Sequence, residues 1–95
     1  MLEEAPGRIT MRFHARDVNL VMGPAERGTS VPFRVLIDGE VPGADHGTDV
    51  DEQGKGTLSE QRLYQLIRQR KPISDRLFEI EYLDSGAEAY CFTFG

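Results

Sequence analysis

Tryptophan is missing from this chain, lysine occurs only twice and cysteine once. Each shortage removes a class of function. A lone Cys91 leaves no C-x-x-C for dithiol redox chemistry and no Cys/His cluster at zinc spacing. Eleven basic residues stand against 16 acidic ones, both halves of the chain are net acidic, and the densest basic run is Arg68, Arg70 and Lys71. Phosphate backbones are bound by clustered Lys and Arg, so nucleic acid is excluded as a partner. No stretch approaches the roughly 20 apolar residues of a membrane-spanning helix. Met1–Gly7 (MLEEAPG) has two acids and no apolar core, so it does not read as a signal peptide. Residues 1–7 read instead as a linker or an appended start. A single domain is expected over residues 8–95, and any export outside the cytoplasm would depend on something upstream.

What the chain does contain is a core. Five Phe, three Tyr and nineteen Leu, Ile and Val in 95 residues are too many for a disordered segment. Their period is mostly two. Met11 and Phe13 alternate with Thr10, Arg12 and His14; Val18, Leu20 and Met22 with Asp17, Asn19 and Val21; Phe33, Val35 and Ile37 fall on one side of Pro32–Asp38; Phe78, Ile80 and Tyr82 alternate with Glu79 and Glu81; and Tyr90, Phe92 and Phe94 with Ala89, Cys91 and Thr93. Such alternation puts one face of each strand on a core and the other in water. Asp38-Gly39 suits a tight type I′ turn, because both central residues need positive φ. Asp84-Ser85-Gly86 suits a slightly longer hairpin, pairing Leu77–Leu83 with Ala87–Phe94. The last strand is apolar on both faces, which predicts a central position in its sheet. Several short strands with regular turn signals predict an all-β, antiparallel sandwich or barrel.

One segment conflicts. Leu63, Leu66 and Ile67 have helical spacing, and Thr57-x-x-Glu60 has the form of a capping box. Local propensity over 58–71 therefore favours a helix ending before Pro72. As a strand, the same stretch alternates untidily.

The sharpest motif runs from Asp49 to Glu60, DVDEQGKGTLSE. Against the calcium-loop pattern D-x-[DN]-x-[DN]-G-x₅-E, Asp49, Asp51, Gln53 and Glu60 take ligand positions, Gly54 the turn, and Lys55 the place that gives a backbone carbonyl. Gln53 stands where an acid or Asn is usual, and Gly56 where an apolar residue is. Pro42, Gly43 and Gly47 exclude an entering helix. An acidic, glycine-rich turn is the competing reading. His14, between Arg12 and Arg16, reads as solvated, while His46 could lean on Asp45 or Asp49. Ser59 and Ser74 lack a nucleophile elbow. Glu79 and Glu81 share one strand face, whereas paired catalytic carboxylates face each other across a cleft. No catalytic set emerges. Seven of the eight aromatics read as core, leaving Tyr64 as the one candidate for a sugar-stacking ring. Cys91, between Tyr90 and Phe92 with uncharged neighbours on its own face, reads as buried and unactivated.

Several segments together carry a resemblance: ITMRFHARDVNLVM, VPFRVLIDGEVPG, HGTDVDEQGKGT, RLYQLIRQ, FEIEYLDSGAEAY and a final FTFG. They cover nearly the whole chain after Gly7. The chain resembles the C-terminal domain of the DipZ group of bacterial thiol–disulfide proteins, which join a membrane redox portion to a thioredoxin-like domain. The resemblance implies a jelly-roll, carbohydrate-binding-module-like antiparallel β-sandwich. It also implies a strand over 62–69, or at most a short helical turn near 60–70, against local propensity. That family's acidic loop often has Asp where Gln53 stands, which weakens any ion site here. The family's C-x-x-C would lie in the thioredoxin-like portion, so no catalytic residue carries over to this fragment. The implied role is a soluble, non-catalytic accessory domain, outside the cytoplasm, of a membrane-anchored parent. It would dock or position the upstream thioredoxin-like domain or its protein substrates. The alternatives are a glycan-binding module and a calcium-stabilised structural domain; no other cofactor is expected.

Overall fold

In the computed structural model, which describes residues 2–5, 7–70 and 73–95, the period-two segments are strands of two facing antiparallel sheets. They are β1 (Leu2–Ala5), β2 (Arg8–Phe13), β3 (Asp17–Pro24), β4 (Val31–Ile37), β5 (Lys55–Leu58), β6 (Arg62–Arg68), β7 (Arg76–Tyr82) and β8 (Ala87–Phe94). One sheet has the order β1-β2-β7-β4-β5 and the other β6-β3-β8. A single 3₁₀ turn, Gly43–Asp45, is the one helical element among the described residues. No described helix is long and apolar enough to cross a membrane.

The expected all-β antiparallel sandwich is therefore what forms. Inward residues Val18, Leu20 and Met22 of β3 pack against Phe33 and Val35 of β4 and Phe78 and Ile80 of β7, all nearly or fully buried. Phe78 meets Phe13 edge-on within its own sheet and Phe92 edge-on across the sandwich, at centroid distances of 6.4 and 5.8 Å. Edge-to-face contact suits the ring quadrupole and adds to the burial of each ring.

Residues 62–68 form a strand, as the resemblance implied and local propensity did not. The untidy alternation has a cause: the β3–β6 register slips between Val18 and Asn19, so Leu66 and Ile67 are both buried. An inserted residue of this kind lets two successive side chains face one core. The Asp38-Gly39 turn also forms as expected. Both residues have positive φ, 53° and 81°, and Ile37 and Glu40 exchange backbone hydrogen bonds of 2.8 and 2.9 Å.

Three expectations are corrected. Leu2–Ala5, inside the stretch read as a linker, pairs antiparallel with β2 as an edge strand. The chain from β7 to β8 does not make a hairpin. β7 lies between β2 and β4 in one sheet, while β8 pairs with β3 in the other. Residues 83–86 switch sheets, the Leu83 N–H bonding the Pro32 carbonyl and the Gly86 carbonyl accepting from Ala25. Finally, β8 is an edge strand and not a central one. Among the described residues it is bonded along one side only, and Tyr90 and Phe94, read as core, are 53% and 50% exposed.

Candidate functional site

The calcium-like motif is dispersed by the fold. Asp49 sits beside β6, where Oδ1 accepts from the Arg62 guanidinium at 2.8 Å and Oδ2 from the Gln65 N–H at 2.7 Å. Asp51 Oδ1 accepts the backbone N–H groups of both Gln53 and Lys55 at 2.9 Å. That is a self-capped Asx turn, which favours Asp and Gly at these offsets without any ion. Gly54 supplies the left-handed residue of the turn, φ 79°, and its carbonyl accepts from Val35 of β4. Glu60 ion-pairs with Arg62 at 3.3 Å. No three acidic, His or Cys side chains converge at metal distance among the described residues. Both oxygens of Asp49 are taken by N–H donors, one of them the Arg62 guanidinium, with which a cation would have to compete. We therefore expect saturating Ca²⁺ to leave the melting temperature unchanged. A bound ion at a hundredfold excess over Kd would add about 2.7 kcal/mol, so a Ca²⁺-specific rise abolished by Asp51→Ala would overturn the expectation.

The same contacts make Asp49 a pH-dependent part of the fold. Burial alone would raise its carboxyl, but the Arg62 and Gln65 hydrogen bonds outweigh burial and hold it below the usual value. A carboxyl depressed in the fold contributes stability above its unfolded pKa, and that contribution is lost as pH falls through the folded value. Asp49→Asn should thus cost about 1 kcal/mol near neutrality, as befits a partly exposed charge-assisted bond. The gap to wild type should close below about pH 4. Melting temperatures of both proteins across the acid range check this.

The remaining candidates are structural. Tyr64, offered as a stacking ring, is 1% exposed. Its hydroxyl donates to the Glu60 carbonyl at 2.7 Å and accepts from the Ser59 and Glu60 N–H groups at 3.3 and 3.2 Å. Its ring meets Phe33 edge-on and carries the Arg62 guanidinium 3.9 Å from its centroid. His46 Nδ1 lies 2.8 Å from the Gly47 carbonyl and leans on neither Asp45 nor Asp49. His14 is exposed and pairs with Asp75. Glu79 and Glu81 line a strand face neutralised by Arg8, with Arg34 also reaching Glu81. The Arg8 hydrogen bond is the main cause that holds Glu81 below the usual carboxylate range. Tyr82 is driven up to about 12 by burial, so its hydroxyl stays protonated against the Met22 sulfur.

Several surfaces remain, among them a cleft of about 470 Å³ lined by Arg27, Glu60, Gln61, Glu88 and Tyr90. Two others bear most on function. One is a cleft of about 240 Å³ between β3, β6 and the 46–48 segment, with Asn19, Thr48, Gln65, Arg68 and Arg70 on its walls. Its walls are mixed polar and apolar, Ile67 among them, and the His46 imidazole is its one ring. The other is the β8 rim. Tyr90 and Phe94 are half exposed, the Phe92 and Phe94 rings stack 6.4 Å apart at 14°, and the Cys91 thiol is exposed, not buried as its neighbours suggested. The sequence hid this rim, because alternating aromatics read as core. The signal was the absence of any charge from Ala89 to Gly95.

This sandwich belongs to a class of accessory regions attached to thioredoxin-like proteins. The chain is a member of the thioredoxin-like C-terminal domain family, whose model matches residues 1–95. No curated protein sequence matches it. Its fold is similar to part of a family two carbohydrate esterase from Clostridium thermocellum, solved in complex with cellohexaose. There the identity is 12% and the TM-score 0.53, over 93% of this chain and 24% of that one. An active-site mutant of a family two esterase from the same organism gives 10% identity and a TM-score of 0.49, over 93% and 25%. The chain thus spans about a quarter of the length of these solved chains. At such identity the likeness is one of fold alone.

Proposed function

We propose that this chain is a non-catalytic docking domain of a bacterial thiol–disulfide protein of the DipZ type. It works outside the cytoplasm, on a membrane-anchored parent, and holds protein partners: the thioredoxin-like domain or that domain's substrates. Family membership supports the accessory role. The observation that carries docking is the β8 rim, where half-exposed Tyr90 and Phe94 border an otherwise buried core. Exposed aromatics of this kind anchor protein interfaces. Redox chemistry falls to the parent's thioredoxin-like portion, because the exposed Cys91 has no resolving partner.

The experiment measures disulfide turnover by the parent protein carrying either the wild-type domain or Tyr90→Ala with Phe94→Ala. Turnover of protein substrates should fall severalfold, with small-molecule disulfides reduced as before. Equal turnover of protein substrates would remove the docking role. The isolated chain should reduce insulin disulfides no faster than background; activity lost on Cys91→Ser would show that the domain is itself catalytic.

The esterase likeness and the polar cleft favour a second reading, a carbohydrate-binding-module-like glycan site. The cleft has hydrogen-bonding groups for sugar hydroxyls but, beyond the His46 imidazole, no ring to stack on. We expect no cell-wall oligosaccharide to bind tighter than about millimolar, roughly −4 kcal/mol. Saturable NMR shifts centred on Asn19, Gln65 and Arg68 at lower concentration would reverse the preference between the two readings.

A further inference from the structure

The cleft between β3, β6 and residues 46–48 gathers donors that the protein itself does not use. Asn19 and Gln65 stand opposite each other on neighbouring strands, and Thr48 Oγ1 donates to Gln65 Oε1 at 3.1 Å. That bond orients the amide and leaves both N–H bonds of Gln65 Nε2 over. Among the described residues, neither the Arg68 guanidinium nor the Asn19 amide has a side-chain or backbone partner. Arg70 is held in place by two bonds. Its Nε–H donates to the Ala44 carbonyl at 2.7 Å and its backbone N–H to Asp45 Oδ1 at 2.9 Å. Both Nη groups are left for a ligand.

Two groups in the same cleft only accept. Thr48 has committed its proton to Gln65. His46 Nδ1 lies 2.8 Å from the Gly47 carbonyl, which takes only a donor, so Nδ1 carries the proton. The neutral ring then offers a bare Nε2. Charge is nearly balanced. Asp17, on the cleft wall, is occupied by Arg16 Nε and Nη2 at 3.3 and 3.1 Å. With Asp45 counted, the three guanidinium groups of Arg16, Arg68 and Arg70 meet two carboxylates, which leaves one surplus positive charge.

We propose that this cleft binds a small carboxylate with a hydroxyl beside it, a hydroxy acid or a sugar acid. Arg68, Arg70 Nη and Gln65 Nε2 serve the carboxylate, whose two oxygens match the planar fork of a guanidinium. The hydroxyl donates to His46 Nε2 or Thr48 Oγ1. One surplus charge suits a monoanion. Phosphate would bring a second charge and set its oxygens against those two lone pairs. Nor is there a row of free backbone N–H groups of the kind that cradles phosphate: those of His46 and Gly47 already bond to the Gly43 and Leu66 carbonyls. A volume of about 240 Å³ lies below the range for drug-sized ligands and suits one such acid or one sugar ring. The site is separate from the β8 rim. It shares the cleft of the glycan reading but does not require a sugar.

The experiment titrates this chain with D-glucuronate, glycolate, acetate, D-glucose and inorganic phosphate, read by NMR. Glucuronate or glycolate should give saturable shifts at Asn19, Gln65 and Arg68, half complete at about 1–10 mM. Acetate lacks the hydroxyl and glucose the charge, so each should bind about tenfold more weakly. Arg68→Gln should weaken the acid about tenfold, at an unchanged melting temperature, because Arg68 is exposed and holds nothing in the fold. Arg27→Gln removes the same charge from a different cleft and should leave binding as it was. Glycolate binding as well as glucuronate would support the site with a free hydroxy acid as its ligand; glucuronate binding alone would support it with a sugar acid. Glucose binding as tightly as glucuronate would overturn the proposal and leave the glycan reading standing. Phosphate binding more tightly than either acid, or equal affinities for Arg68→Gln and Arg27→Gln, would also overturn it. No saturable shift with any probe up to about 50 mM would remove both this site and the glycan reading.

Discussion

Tyr64→Ala should destabilise the fold by about 3–5 kcal/mol, the usual range for truncating a fully buried aromatic side chain. Tyr64 is among the largest buried side chains of the core, and its hydroxyl closes the turn between β5 and β6. Domains of this size have a total stability of about 5–15 kcal/mol, so the loss is a large share of the total and the variant should melt well below wild type. Tyr64→Phe separates the two contributions. It keeps the ring but strands two N–H groups and a carbonyl, at about 1–3 kcal/mol. Urea titration followed by circular dichroism measures both variants. A Phe variant as stable as wild type would mean that water replaces the hydroxyl; an Ala variant within about 1 kcal/mol would deny Tyr64 its place in the core.

Gly54→Ala should have an effect of similar size by a different route. Gly54 has φ 79°, where an L side chain costs about 1–2 kcal/mol. Its new Cβ would run into the Val35 carbonyl, a backbone group of a central pairing partner, with Pro42 close by. Overlap of this kind costs a further 1–3 kcal/mol or so. Gly39→Ala is the control: φ is 81°, but nothing lies within 4 Å of the added carbon. The difference between the two melting curves isolates the collision from the backbone strain. Equal losses would show that β4 and the 51–55 turn part without resistance.

Much of the fold was legible because burial on one face forces alternation. β4 shows it in full: Val31, Phe33, Val35 and Ile37 are buried and the residues between them are not. What local pattern cannot carry is the identity of the neighbour. Asp84-Ser85-Gly86 states that the chain turns, but not that it turns into the opposite sheet. Two apolar faces on β8 read as a central strand, since an edge that lacks a covering partner has the same composition. Tyr64 was unplaceable because the register slip that buries Leu66 and Ile67 together hides the ordinary alternation of Tyr64 with Leu66. For the site, the fold gives the Asp49–Glu60 pattern a structural use: Asp51 Oδ1 closes an Asx turn beside β4, and both oxygens of Asp49 accept from Arg62 and Gln65 N–H groups.

The pairing of β3 with β8 also sets an order in time. Val18, Leu20 and Met22 gain their second ladder only from Phe94, Phe92 and Ala89, roughly seventy residues later in the chain. A ribosome adds about 5–20 residues each second, so a nascent chain carries this apolar strand without its far neighbour for several seconds. Contacts between distant residues also form slowly, since chain entropy must be lost before they are made. The segment most in need of a chaperone's shelter is therefore the one that ends up deepest in the sandwich.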